Sequence, residues 1–143
     1  MPDSLTPAQR SQRMRMVRGK DTKPELLVRR LVHAMGFRYA LHRRDLPGCP
    51  DLVFAPRKKV IFVHGCFWHR HSSSKCRLAR LPKSRLDFWL VKLESNRLRD
   101  EKRMRALRVL GWKVLLVWEC QLSDKEQLQN RLRRFLESGN AHS

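Results

Sequence analysis

The chain has 143 residues, and 32 Lys and Arg against 13 Asp and Glu give it a formal net charge of +19. This length is typical of one hydrophobic core, so we expect residues 1–143 to form a single domain. The 41% of hydrophobic residues exclude a disordered basic tail. The charge favours a polyanionic partner, of which nucleic acid is the most abundant. From charge alone, a ribosome-associated protein or a merely soluble basic surface stays open.

Neither a membrane span nor a secretion signal is present in the sequence. The best apolar run, residues 112–118, contains Lys113 and is far shorter than the roughly 18–20 residues that a span needs. The first 18 residues lack the apolar segment and cleavage site of a signal peptide. We therefore expect a cytoplasmic setting, in which the four cysteines are thiols or metal ligands rather than disulfides.

The first elements are a basic arm and a capped helix. Residues 1–20 are polar and basic and predict either an arm that orders on DNA or a short edge helix. Residues 22–25 (TKPE) have the form of a capping box, which predicts a helix that Gly36 ends. The apolar residues expected near one face of this helix are Leu27, Leu31 and Ala34.

The remaining elements predict a mixed α/β (α+β) fold, in which helices flank one sheet. Alternation predicts a strand over 37–42, and two apolar runs at 51–55 and 60–63 predict a buried hairpin. Residues 65–83 form a long loop, which suggests function. The later predictions are a helix capped at residues 84–87, a second from about 96 to 110, a strand over 112–118, a helix from Ser123 or Asp124 to about Leu136, and a disordered tail at 138–143.

Cysteine and histidine are concentrated around that loop. Cys66, His71 and Cys76 follow one another with four residues between members, and Cys120 ends the last predicted strand. Thiolates with an imidazole are the ligands of a tetrahedral structural Zn²⁺ site, which would fasten the loop to the sheet. Free thiols beside a scattered histidine are the alternative. Cys49 lies apart from the cluster and is predicted to be a small buried residue.

A candidate catalytic group combines one acid with two histidines. Asp51 follows Pro50 at the start of a strand, where a carboxylate can hold a hard cation and a phosphate. His64 ends the neighbouring strand and His69 lies in the loop, and a histidine can accept a proton from water at neutral pH. An Asp after Pro is more often an ordinary turn residue.

Aromatic residues in this basic region suggest contact with bases. Phe67 and Trp68 lie in an otherwise polar loop, where rings can stack on bases or wedge between them. Trp89, near the start of a predicted helix, fits either that role or ordinary core packing.

Three segments closely resemble the very-short-patch repair DNA mismatch endonucleases: residues 46–51 (LPGCPD), 60–69 (VIFVHGCFWH) and 110–120 (LGWKVLLVWEC). The resemblance is collinear from about Arg13 to Leu122. It implies a restriction-endonuclease-like fold and a strand-specific, Mg²⁺-dependent nick 5′ to the thymine of a G·T mispair left by deamination of 5-methylcytosine. It also implies a bacterial, nucleoid-associated monomer that acts on double-stranded DNA, with repair proteins as possible partners.

The resemblance assigns roles residue by residue. Asp51 and the main-chain carbonyl of Val63 match the ligands of the catalytic Mg²⁺. His69 matches the residue that activates the attacking water, while Glu25 and His64 match residues that hold metal-bound waters. Further matches are the zinc ligands Cys66, His71, Cys76 and Cys120 and the intercalating aromatics Phe67, Trp68 and Trp89.

Three departures accompany the match. The strand that ends at His64 lacks the acid-x-Lys common in restriction enzymes of this fold, Val63 replaces the Thr frequent in the family, and residues 72–75 lengthen the loop before Cys76. Two alternatives therefore stay open: a nuclease that cuts paired DNA, and a zinc-stabilised DNA-binding module without catalysis.

Overall fold

The computed structural model describes residues 22–66, 69, 71, 76 and 84–138. The predicted arm at 1–20, most of the long loop and the tail after Ser138 lie outside the described residues. The helices are α1 Lys23–Ala34, α2 Leu86–Val109 and α3 Lys125–Glu137, and the strands are β1 Ala40–Leu41, β2 Leu52–Phe54, β3 Lys59–His64 and β4 Lys113–Trp118. Short 3₁₀ helices span Ala55–Arg57 and Glu119–Ser123. No helix in these ranges is long and apolar enough to cross a membrane.

The four strands form one mixed sheet in the order β1-β2-β3-β4. The predicted hairpin is confirmed, because β2 pairs antiparallel with β3, while β4 pairs parallel with β3. The carboxyl ends of β3 and β4 therefore lie at the same edge of the sheet as the amino end of β2. Asp51 before β2, His64 at the end of β3 and Cys120 after β4 all lie at this edge.

Helices cover both faces of the sheet, so β2 and β3 are buried throughout. On one face, Val28 and Val32 of α1 and three leucines of α3 pack against alternate strand residues such as Ile61. On the other face, Met104 and Leu107 of α2 pack against the intervening strand residues. Burial on both faces explains why these strands are almost wholly apolar in sequence.

α1 begins as predicted, but a different face is buried. The Thr22 hydroxyl accepts a hydrogen bond from the Glu25 backbone N–H at 3.4 Å, which caps the helix. The buried residues are Glu25, Val28 and Val32, whereas Ala34 is exposed. Five charged or polar positions interrupt the apolar pattern of this helix, and the one that is buried, Glu25, is a predicted site residue.

Two other local predictions are wrong. The two helices predicted after residue 84 are one 24-residue helix, α2, because neither Gly nor Pro interrupts residues 86–109. Ser84 does not cap it, since the preceding residue is Arg85, which has φ 56° and makes no side-chain cap. The strand predicted over 37–42 pairs only at Ala40–Leu41, because His42 adopts a left-handed φ of 47°.

A buried lysine ties the sheet to α3. Lys59 is fully buried, and its ammonium donates to the carbonyls of Phe135 at 2.7 Å and Leu136 at 3.0 Å. These carbonyls belong to the last turn of α3, where backbone carbonyls have no N–H partner within the helix. The lysine thus satisfies the end of α3 and fixes it against β3.

Candidate active site and metal cluster

Asp51 lies immediately before β2 and is attached to β3 by a hydrogen bond. Its Oδ2 accepts from the Val63 backbone N–H at 2.7 Å. In an extended strand the N–H and C=O of one residue point to the same side, so the Val63 carbonyl also faces Asp51. One carboxylate oxygen, Oδ1, and one main-chain carbonyl are therefore directed to the same place.

The proline before Asp51 explains why that carbonyl is available. Leu52 pairs with Ile61, and continuing the antiparallel register places Pro50 opposite Val63. Proline has no N–H, so it cannot donate to the Val63 carbonyl. The Pro-Asp pair thus ends the strand pairing and places a carboxylate beside the Val63 backbone.

Glu25 and His42 complete a group of three ionisable residues that we call the Asp51 cluster (Glu25, His42, Asp51). The His42 Nε2 lies 2.8 Å from Glu25 Oε2 and 3.9 Å from Asp51 Oδ1. One donor atom from each residue lies within 4.8 Å of the others. Glu25 is almost fully buried and also contacts the Arg29 guanidinium, which offsets part of its charge.

The protonation of Asp51 is set by its surroundings. Burial raises the pKa of Asp51 to about 7; the Val63 N–H opposes this effect and the Glu25 charge adds to it. A carboxylate held against a second carboxylate in a buried place favours a bound cation, which would restore the charged form. Positions with such strongly shifted groups in a cleft are candidate functional sites.

The two predicted histidines stack on each other beside this cluster. The rings of His64 and His69 lie 3.8 Å apart at an interplanar angle of 9°. His69 Nδ1 lies 2.5 Å from the Oδ2 of Asp100 on α2, which leaves Nε2 as the nitrogen free to face the cleft. We call His64 and His69 the histidine pair.

His64 is uncharged at neutral pH. Burial, with a smaller effect from the neighbouring His69, lowers the pKa of His64 to about 3. Its Nδ1 is buried and has no hydrogen-bond partner among the described residues. A neutral His64 ring can stack on His69 without opposing a positive charge there.

A cleft of about 260 Å³ joins the two groups. Its walls include Asp51, His69, Asp100 and Arg103, and Arg103 is the one Lys or Arg side chain that lines it within the described ranges. Cys49 also lines the cleft and is exposed with φ 47°, so the prediction that it is buried is wrong. The left-handed turn before Pro50 points this side chain outward.

The cysteine cluster (Cys66, His71, Cys76, Cys120) assembles as the spacing predicted. The parallel strands β3 and β4 bring Cys66 and Cys120 together, and the Cys120 N–H donates to the Cys66 sulfur at 3.4 Å. The His71 Nδ1 lies 3.5 Å from the Cys120 sulfur. One donor atom of each of the four residues lies within 4.8 Å of the others.

Three sulfurs and one imidazole are the donor set that Zn²⁺ prefers. Burial raises the pKa of both Cys66 and Cys120. Buried thiols without a cation therefore stay protonated, and a bound Zn²⁺ would release those protons. The donor set and its burial fit a structural zinc ion.

Trp118 at the end of β4 lies between the cysteine cluster and the histidine pair. Its ring stacks on His71 at 4.2 Å and 12°, and contacts His64 edge-on at 5.4 Å and 76°. The residue is half-buried and pairs with His64 across the sheet. A single indole ring thus contacts both the cysteine cluster and the histidine pair.

The predicted DNA-contacting aromatics are only partly covered by the structure. Phe67 and Trp68 lie outside the described residues. Trp89 lies in the first turn of α2, is half-buried and packs edge-on against Phe88 at 5.3 Å. Phe88 itself is exposed. Among the described residues, Trp89 is not a member of either core cluster.

Sequence reasoning missed two residues of the site. Asp100 lies in a charged stretch of α2 that reads as a solvated helix face, and only the packing of α2 on the sheet brings it to His69. His42 lies in a loop after a two-residue strand. The register signal was present, because His42 continues the pairing of Leu41 with Leu52 and so faces Asp51.

The chain is similar to several known DNA endonucleases. The family model described as DNA mismatch endonuclease Vsr matches residues 2–75. The type II nicking enzyme V.XorIIP of Xanthomonas oryzae pv. oryzae is 53% identical over 96% of this chain and 98% of its own length. The DNA mismatch endonuclease Vsr of Escherichia coli is 41% identical over 90% of this chain and 80% of its own length.

The fold also matches a solved nuclease structure. The catalytic domain of homing endonuclease I-Bth0305I superposes with a TM-score of 0.56 and 20% identity, covering 80% of this chain and 94% of that domain. The mixed sheet and the flanking helices have a restriction-endonuclease-like fold, and the relatives make the chain a DNA endonuclease. The chain belongs to the Vsr family of DNA mismatch endonucleases.

Proposed function

We propose that this endonuclease nicks one DNA strand 5′ to the thymine of a G·T mispair, in a Mg²⁺-dependent reaction that initiates very short patch repair. The observation that carries the proposal is the Asp51 arrangement: Asp51 is bonded to the Val63 backbone, and both residues line one cleft with the histidine pair. The mismatch itself is proposed from the family relationship and from the mechanics of the duplex.

Mg²⁺ prefers oxygen donors and keeps several waters, and the site fits that preference. Asp51 Oδ1 and the Val63 carbonyl would hold the ion from one side, with Glu25 close enough to hold its waters. When bound, the ion polarises the scissile phosphate and stabilises charge on the leaving oxygen. The loss of a Thr hydroxyl at Val63 leaves this backbone donor in place.

His69 has the geometry of a general base. Asp100 accepts the proton on Nδ1, so Nε2 carries a lone pair that can take a proton from an attacking water. Asp100 also stabilises the imidazolium that forms. His64 stacks beneath the ring and fixes its plane, so that the lone pair stays directed into the cleft.

Arg103 is placed to hold the scissile phosphate. Its stem packs over the turn before Asp51, where a Cβ added to Gly48 would meet Arg103 Cβ at 3.2 Å. It lies one helical turn from Asp100 and lines the same cleft. A guanidinium can bind a phosphate with two parallel hydrogen bonds, which would hold the substrate beside the carboxylates of the Asp51 cluster.

Mismatch preference is proposed to come from deformability. Basic side chains position the DNA backbone without choosing its sequence. A wobble pair is easier to unstack than a matched pair, so aromatic wedges at Phe67, Trp68 and Trp89 would enter more easily beside G·T. The +19 charge supplies affinity for any duplex, and the wedges supply the preference.

The test compares nicking of otherwise identical duplexes with G·T or G·C at one position, each strand labelled separately, with and without Mg²⁺. We expect one nick, 5′ to the mispaired thymine, only in Mg²⁺ and only in the G·T duplex. Equal cutting of the matched duplex would favour the restriction-like alternative. Mismatch binding without any cleavage would favour the zinc-stabilised binding module.

A further inference from the structure

His42 occupies an unusual position for a residue outside any assigned role. It continues the β1–β2 pairing one step beyond Leu41, and its N–H donates to the Asp51 carbonyl at 3.4 Å. Its φ of 47° is a left-handed conformation that a non-glycine residue adopts only with backbone strain. Such strain persists where the surroundings hold a side chain in a required place.

The place in question is the mouth of the Asp51 cluster. The His42 side chain is only 12% exposed, and its Nε2 is directed between two carboxylates. It lies 2.8 Å from Glu25 Oε2 and 3.9 Å from Asp51 Oδ1. Asp51 Oδ2 is occupied by the Val63 N–H, so Oδ1, the oxygen that faces His42, is the one left for a cation.

These separations suit a shared metal ion. In an octahedral site each donor atom lies about 2.1 Å from the ion. Two donor atoms at adjacent positions are then about 3.0 Å apart, and two at opposite positions are about 4.2 Å apart. The 3.9 Å from Nε2 to Asp51 Oδ1 falls within this range, whereas the 2.8 Å to Glu25 Oε2 is a hydrogen-bond distance. Arg29 contacts Glu25 as well, so Glu25 keeps a charged partner when the imidazole turns from it to the ion.

We propose that His42 is a nitrogen ligand of the catalytic divalent cation, together with Asp51. This rests on the proposed function only in naming that cation as the nuclease's own. An imidazole donor favours Mn²⁺ and Co²⁺ over Mg²⁺, because affinity at nitrogen-containing sites rises along the first transition series while Mg²⁺ prefers oxygen alone. The cation site is therefore mixed in its donors and binds Mn²⁺ more tightly than a site of oxygen atoms would.

The direct test detects nitrogen bound to the ion, without DNA. Mn²⁺ is added to the full-length, zinc-loaded protein and its electron spin-echo modulation is recorded for wild type and His42→Gln. Glutamine can still donate to Glu25, so a purely structural role for His42 survives the change. We expect a ¹⁴N modulation in wild type that converts to the ¹⁵N pattern with ¹⁵N-histidine labelling and disappears in His42→Gln.

His33→Gln is the matched control, because His33 is exposed in the last turn of α1 and lies outside the cluster. It should keep the modulation, and Asp51→Asn should remove Mn²⁺ binding at this site. We also expect the Mn²⁺ Kd to rise about tenfold or more in His42→Gln, with zinc content and Tm close to wild type.

Three results would overturn the proposal. They are Mn²⁺ binding without nitrogen modulation in wild type, modulation that persists in His42→Gln because another histidine supplies it, and no Mn²⁺ binding at millimolar concentration. None depends on nicking, so the G·T assay can fail while this result stands, and the reverse. In that assay the ratio of rates in Mn²⁺ and Mg²⁺ should fall in His42→Gln if nicking occurs.

Discussion

Two groups of metal-binding side chains lie at one edge of the same sheet, and they differ in hardness and in access. The cysteine cluster offers three sulfurs and an imidazole, which fill a tetrahedral shell. The Asp51 cluster offers oxygens and one imidazole, and opens to a cleft that leaves room for water and phosphate. A closed soft site stabilises the fold, whereas an open hard site can bind substrate. One sheet edge thus carries both a stabilising site and a substrate site, which differ in the chemistry of their donor atoms.

The two groups are nevertheless connected by a series of aromatic ring contacts. The path runs from His71 through the Trp118 ring to His64 and then to His69. Parallel pairing of β3 with β4 sets this path, because it places His64 opposite Trp118. A variant that changes one group therefore shows whether the other group responds.

The largest expected effect comes from Asp51. Asp51→Ala should lower Mg²⁺-dependent nicking of a G·T duplex by at least about 10³-fold, since both the cation and its charge balance are lost. Duplex affinity and zinc content should stay close to wild type. Single-turnover nicking, gel-shift titration and metal analysis measure the three quantities. Retained nicking would show that Asp51 does not hold the cation.

Loss of a cysteine ligand should act on the fold instead. Cys66→Ser leaves a weaker donor in a fully buried place, so bound zinc should fall well below one per chain and stability should drop by about 2–5 kcal/mol. Cys49→Ser is the matched control, because that thiol is exposed and outside the cluster. Urea unfolding with zinc quantification tests this; a stable, zinc-free Cys66→Ser protein would contradict a structural zinc.

Asp100 tests the histidine pair. Asp100→Asn should reduce the single-turnover rate by about 10²-fold while KM changes little, because His69 loses the group that fixes its tautomer. Glu101→Gln is the control on the same helix, since Glu101 is exposed and pairs with Arg97. If the two variants behave alike, Asp100 contributes only surface charge.

The smallest effect concerns pH and the protein without its divalent cation. The pKa of Asp51 is raised in the fold, so between about pH 4 and 7 the native state binds more protons than the unfolded chain. The Asp51 contribution to stability is therefore fully present below about pH 4 and is lost as pH rises through 7. Asp51→Asn should then stabilise the cation-free protein at pH 8 by on the order of 1–3 kcal/mol, and by much less at pH 5.

Thermal unfolding at both pH values in a chelator too weak to remove zinc measures this difference. An equal difference in stability between Asp51→Asn and wild type at pH 5 and pH 8 would show that the pKa of Asp51 is not raised. The contribution of His64 runs the other way, because the pKa of His64 is lowered and stability is lost as pH falls below about 6.5. The comparison of Asp51→Asn with wild type removes this shared slope.

Local chemistry made part of this structure predictable from sequence. The hairpin, the Thr22 cap and the final helix follow from short patterns, and Asp124 caps that helix by accepting from the Gln127 N–H at 3.0 Å. The cysteine cluster follows because its ligands flank two strands that pair. These features depend on neighbours in sequence or on one strand contact.

The rest depends on how elements pack. Asp100 meets His69 only when α2 lies across the sheet, and nothing in its charged neighbourhood distinguishes it from Glu101. Cys49 is exposed because its left-handed backbone turns it outward, which its hydrophobic character opposes. His42 is directed at Asp51 by the same kind of backbone conformation. Positive φ at non-glycine residues is the common reason why the sequence pattern did not predict these two positions.

The most direct test of the central claim separates the two metals in one protein. Zinc-replete protein, with one Zn²⁺ per chain verified before and after, is mixed with a G·T duplex in a single-turnover assay, first without and then with Mg²⁺. We expect no nicking until Mg²⁺ is added, and an unchanged zinc content throughout. Nicking by the zinc-only protein would contradict the assignment of the chemistry to the Asp51 cluster.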